Sequence, residues 1–136
     1  KTRLTVLTQH YEDMEFRKAA AETRAIWAAG NEYLTRAEPW VKYKADVDGA
    51  AVGVRTGLNL VALFAIIAQP LIPATAKTIL DTLGVADGNR GWPDAGDTGL
   101  LDALPHGMAV EAPPVLFQKI EDAMVAGWTE RFGGES

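Results

Sequence analysis

Between Phe16 and Leu34 the apolar and small residues fall at Phe16, Ala19, Ala20, Thr23, Ile26, Trp27, Gly30, Tyr33 and Leu34. Steps of three and four sustained over about five turns specify an amphipathic helix, since a half-buried strand would alternate by two. Asp13 is placed to cap this helix, and Leu4, Leu7 and Tyr11 before it read as the end of an earlier one. Pro39 pushes its predecessor out of the helical region, so the helix stops near Glu38. The same proline can open a short turn, Pro39–Lys44.

A second long helix is predicted from about Asp46 to Ala68, capped by Asp46 or Asp48 and apolar on nearly every side from Leu58 onward. Gln69-Pro70-Leu71-Ile72-Pro73 breaks it, and another helix runs from Pro73 to Leu83 with Gly84 ending it. Residues 85–115 read as an irregular loop rich in Gly and Pro, where Met108 to Val110 could at most join a small strand pair. A last helix, Gln118–Phe132, would show Ile120, Met124 and Trp128 on one face. Taken over residues 1–136, this is one all-α helix bundle.

Composition excludes several chemistries. The chain of 136 residues has no Cys, which removes disulfide scaffolds, thiolate zinc sites, catalytic thiols and iron–sulfur clusters. Its sole serine is Ser136, and His10 and His106 lie far apart without ligand spacing, so both read as surface or loop residues. Gly88, Gly91, Gly96 and Gly99 follow no strand and precede no Gly-Lys-Ser/Thr, and read as turns rather than a phosphate loop. No catalytic or metal residue is assigned. The start lacks the pattern of a signal peptide, and the longest apolar run, Leu58 to Ala68, is 11 residues, well short of the roughly 20 that span a bilayer. The expectation is a soluble, cytoplasmic protein with no membrane partner.

Charge is distributed unevenly. Residues 1–44 hold eight bases and six acids, whereas residues 45–136 hold five bases and twelve acids. A nucleic-acid partner is permitted by the first part and opposed by the second. Within the first, Trp40 follows Pro39 at a helix junction flanked by Arg36, Lys42 and Lys44. A planar ring there can stack on an unpaired base while cations hold its phosphates. Packing of Trp40 into the junction as core is the competing reading, and the residues alone favour it.

A resemblance shifts that balance. Glu15-Phe16-Arg17-Lys18-Ala19, Asn31-Glu32-Tyr33-Leu34 and Pro39-Trp40 with Lys44 following are similar to the C-terminal helical domain of bacterial methionyl-tRNA synthetases. The likeness continues through Leu58-Asn59-Leu60, Gln69-Pro70-Leu71-Ile72-Pro73, Leu83-Gly84 with Trp92, Gly107 and Leu116-Phe117-Gln118-Lys119-Ile120-Glu121. Gln69 departs from the Ser or Ala often found there, a change in packing. The resemblance implies the anticodon-binding bundle of class I aminoacyl-tRNA synthetases, with Trp40 stacking on an anticodon base and Pro39 setting its position. Asn31 is a further anticodon candidate, and Arg36, Lys42 and Lys44 are candidates for the tRNA backbone.

The implied partners are the anticodon stem-loop of methionine tRNA and the catalytic domain of a longer parent chain. That parent uses ATP with Mg and methionine, while this stretch needs no cofactor. The family's preceding helix, which supplies an Asn and an Arg, and its catalytic signatures are not in the sequence, so Lys1 reads as an internal cut and the far end as near the enzyme's own. An isoleucyl-, valyl- or leucyl-type anticodon domain and a helical protein-interaction module are the alternatives.

Overall fold

The computed structural model describes residues 1–97 and 99–134, so Ser136 lies outside the described residues. Six helices follow in order: α1 (Thr2–Glu12), α2 (Phe16–Ala37), α3 (Pro39–Lys42), α4 (Val47–Ala68), α5 (Pro73–Thr82) and α6 (Asp122–Phe132), with one 3-10 turn at Asp87–Asn89. The all-α expectation holds, and among the described residues there is no strand. Met108 to Val110 is irregular, because no extended run lies beside it to complete a ladder.

Helix α4 is central, touching α2, α3 and α5. Its small residues permit close approach. Gly30 of α2 sits directly against the ring of Phe64, and a Cβ on Gly57 would stand 2.9 Å from Leu34 Cδ2. Ala62, Ala65, Ile67 and Ala68 of α4 are buried together with Leu7, Ala76, Leu80 and Leu83 from its neighbours. Within α4 an 18-residue stretch reaches mean hydropathy 1.9, so the helix has the length and apolar character of a membrane span, which the shorter Leu58–Ala68 run did not suggest. Packing on three sides by other helices accounts for that composition equally well.

Local punctuation sets most of the ends. Asp46 caps α4, its carboxylate accepting the Gly49 N–H at 2.8 Å. After α5, Gly84 takes φ +63°, while its N–H donates to the Asp81 carbonyl and that of Val85 to the Leu80 carbonyl, a Schellman closure. The first boundary differs from expectation. Asp13 ends α1 instead of capping α2: Met14 takes φ +57°, and the Met14 and Glu15 N–H groups return to the Tyr11 and His10 carbonyls. This is the same closure built on a methionine, and it leaves Glu15 as the cap of α2.

The last helix also starts later than expected, at Asp122, with residues 118–121 irregular. None of its residues is buried, and Met124 and Trp128 are exposed. Without a packed face only local terms favour helix there, and an acid in the first turn is one of them. The irregular segment therefore runs from the end of α5 to Glu121, longer than 85–115.

That segment is pinned nonetheless. Trp92 meets Tyr11 edge-on at 5.4 Å and donates from Nε1 to Thr8 Oγ1 at 2.9 Å. Arg90 donates from Nε to the Val85 carbonyl at 2.8 Å and pairs with Asp81 at 2.8 Å, while Gln69 Nε2 reaches the Arg90 carbonyl at 3.0 Å. Lys77 also donates to Asp81, and with Arg90 it holds that carboxyl below its ordinary range. Glu15 is likewise lowered, by Lys18 and then His10, which is half-buried within α1.

Both carboxylates contribute stability above their ordinary titration range, and that contribution is lost as pH falls through their lowered folded values. Melting followed from neutral pH into acid should therefore show a fall that Asp81→Asn makes shallower. Both groups are exposed, so the effect is small.

Candidate nucleic-acid interface

Pro39 opens α3 and is buried, seated on Gly53 of α4, where an added Cβ would stand 3.3 Å from Pro39 Cβ. Glu38 before it takes φ +42°, which ends α2 and turns the chain across α4. Pro39 occupies the packed position, and the next residue stands about 100° further round the helix. Trp40 is 60% exposed and Tyr43, three residues on, is 65% exposed. The reading in which Trp40 is core does not describe this junction; Pro39 is the core member.

Trp40 and Tyr43 border an open cleft of about 560 Å³. One wall is α3 with the N-terminal half of α4, including Val47, Val54 and Leu58. The loop Leu104–Met108, which includes His106 and Gly107, lines the rest of the cleft. The lining is mostly apolar, as suits a planar ring rather than a phosphate. Lys42 and Lys44 are exposed beside it, and neither forms an ion pair among the described residues.

Other expected residues lie elsewhere. Arg36 does not line the cleft and pairs loosely with Glu32 at 3.7 Å across one turn of α2. Asn31 is exposed next to Gly30, the residue that faces α4, and is also outside the cleft. The loop wall was not found from sequence. It lies some 60 residues beyond Trp40 and carries no periodicity. Tyr43 was legible in principle, at i+3 from Trp40 on the same turn.

The Gly-containing loop does not favour anions. The N–H groups of Gly96 and Gly99 each donate at 2.7 Å to the carboxylates of Asp94 and Asp97, placing negative charge where a phosphate would sit. Among the described residues no three His, Asp or Glu side chains group as metal ligands.

Comparison with known proteins identifies the family. Residues 1–136 match the family model described as the anticodon binding domain of methionyl tRNA ligase. The methionine–tRNA ligase of Maricaulis maris is 72% identical over 133 residues, covering 97% of this chain and 23% of that protein. That of Hyphomonas neptunium is 65% identical over 136 residues, covering 97% and 24%. The Streptomyces avermitilis enzyme is 40% identical over 125 residues, covering 92% and 22%. The chain thus spans about a quarter of the length of these curated relatives. No solved structure matches it.

Proposed function

The chain belongs to the family of anticodon-binding domains of methionyl tRNA ligase, and we propose that it grips the anticodon stem-loop of methionine tRNA with Trp40 as a stacking platform. The exposed indole at the edge of an open, mostly apolar cleft carries this reading. An aromatic residue that gains so little from packing is explained by a ring brought from outside. Pro39 positions it, and Lys42 and Lys44 attract phosphate, with Arg36 and Asn31 in outlying roles. Residues 1–136 act as one unit of a longer cytoplasmic chain whose remaining part, using ATP with Mg, joins methionine to the tRNA. This unit supplies identity and none of that chemistry. The family is the methionyl one, in place of the isoleucyl-, valyl- or leucyl-type alternative.

Two sets of cations test where the RNA lies. Neutralising Arg36, Lys42 and Lys44 together should weaken binding of the stem-loop and flatten its salt dependence, by about one unit of log–log slope per lost phosphate contact. Lys119, beside Glu121 at 3.9 Å, and Arg131 lie in the acid-rich part, and neutralising them should change little. Equal losses from both sets would put the RNA on another face.

A further inference from the structure

The loop wall of the cleft has no helix or strand of its own, so something else must fix its distance from Trp40. Its anchor is Leu104, buried with Ala62 and Leu83. Both backbone polar groups of Leu104 are taken by side chains one turn apart on α4. Asn59 Oδ1 accepts the Leu104 N–H at 3.0 Å, and Arg55 Nη2 donates to the Leu104 carbonyl at 2.9 Å. Asn59 Nδ2 donates in turn to the Arg55 carbonyl at 2.9 Å, which fixes the orientation of the amide from both ends. The other arm of the Arg55 fork pairs with Asp102. Asn59 is 1% exposed, in a helix otherwise lined by apolar and small residues. An amide in such a place is costly unless both its ends are satisfied, and a leucine would fill the same space without that requirement. Packing alone does not explain its presence.

We infer that Asn59 and Arg55 are positioning residues for anticodon recognition, setting the gap between Trp40 and the His106–Gly107 rim and so which planar ring the cleft accepts. The inference rests on the RNA-binding reading above. Trp40 supplies attraction that any base can satisfy, since every base has a stacking face. Discrimination requires a second wall at a defined distance. Two side chains of α4 holding the N–H and the carbonyl of one residue, Leu104, supply it: a loop drawn away from α4 would leave the buried Asn59 amide oxygen without its donor.

The test uses the 136-residue chain with two RNAs, the methionine anticodon stem-loop and the same stem-loop with its anticodon bases replaced. The quantity read is the ratio of the two affinities. In Asn59→Leu this ratio should fall about tenfold, the effect of one buried hydrogen-bond arrangement lost, while the salt dependence keeps its slope because no cation is removed. Arg55→Lys keeps the charge but cannot bridge Asp102 and Leu104 together, and should lower the ratio in the same direction. Circular dichroism identifies folded variants, and if Asn59→Leu does not fold, the partly exposed Arg55 site decides the matter. A folded variant with an unchanged ratio makes the clamp merely structural and overturns the inference. Wild-type protein that binds neither RNA, or both equally, instead defeats the RNA-binding reading itself, and this inference with it.

Discussion

Trp40→Ala lowers affinity for the anticodon stem-loop by on the order of 1–3 kcal/mol, the worth of one base stacked on an aromatic ring, and leaves the melting temperature almost where it was. The two halves of that expectation have one origin. Because Pro39 holds the buried position against Gly53, the indole stands out on α3 and gives up little burial when truncated. Substitutions at such exposed sites usually change stability by about 0.5 kcal/mol or less. Titration of labelled RNA alongside a thermal melt checks both. A melting temperature lowered by many degrees with affinity intact would return Trp40 to the core.

The second large effect comes from a residue that touches no RNA. Gly53→Val should destabilise the fold by about 1–3 kcal/mol, the usual range for overpacking, and weaken stem-loop binding as well. The added Cβ already lies 3.3 Å from Pro39 Cβ and 3.9 Å from its Cγ, and valine adds two methyl groups with one favoured rotamer in a helix. The pyrrolidine ring has no torsion with which to swing aside. Helix α3 must therefore move as a body, carrying Trp40 and Tyr43 with it. Gly53→Ala is the control: crowding of a few tenths of an ångström is set against about 1 kcal/mol of helix propensity, so stability changes little. Valine-variant protein that binds RNA as tightly as wild type would show that the Pro39 seat does not govern Trp40.

What could be read in the sequence was what is local. The α2 stripe, the stop before Pro39, the Asp46 cap and the Gly84 closure each depend on residues within one or two turns, and each stands in the structure as expected. Where a local device lacked its usual residue, the reading slipped. Met14 adopts a backbone conformation ordinarily left to glycine, so no residue in the sequence marks the end of α1, and Asp13 reads as the cap of α2. Gln118–Phe132 has a helical stripe along its length, but none of the residues of α6 is buried, and its first turn is not helical. Half of the cleft was legible through Pro39 and Trp40. The other half is held by Asn59 reaching Leu104, 45 residues away, and no periodicity spans that distance.

Both walls of the cleft hang from α4: Pro39 rests on Gly53, and Leu104 is tied to Arg55 and Asn59. The same helix forms the centre of the bundle. Regions that open first in a protein are those with few buried contacts, and the innermost helix belongs to the opposite extreme. The recognition face is thus made of surface residues but inherits the persistence of the interior. The tail from Val115 to Phe132 can fray without altering the gap into which a base must fit, whereas no partly unravelled form lacking α4 can keep even a weakened version of it. Loss of the cleft by unfolding and melting of the bundle are therefore one event.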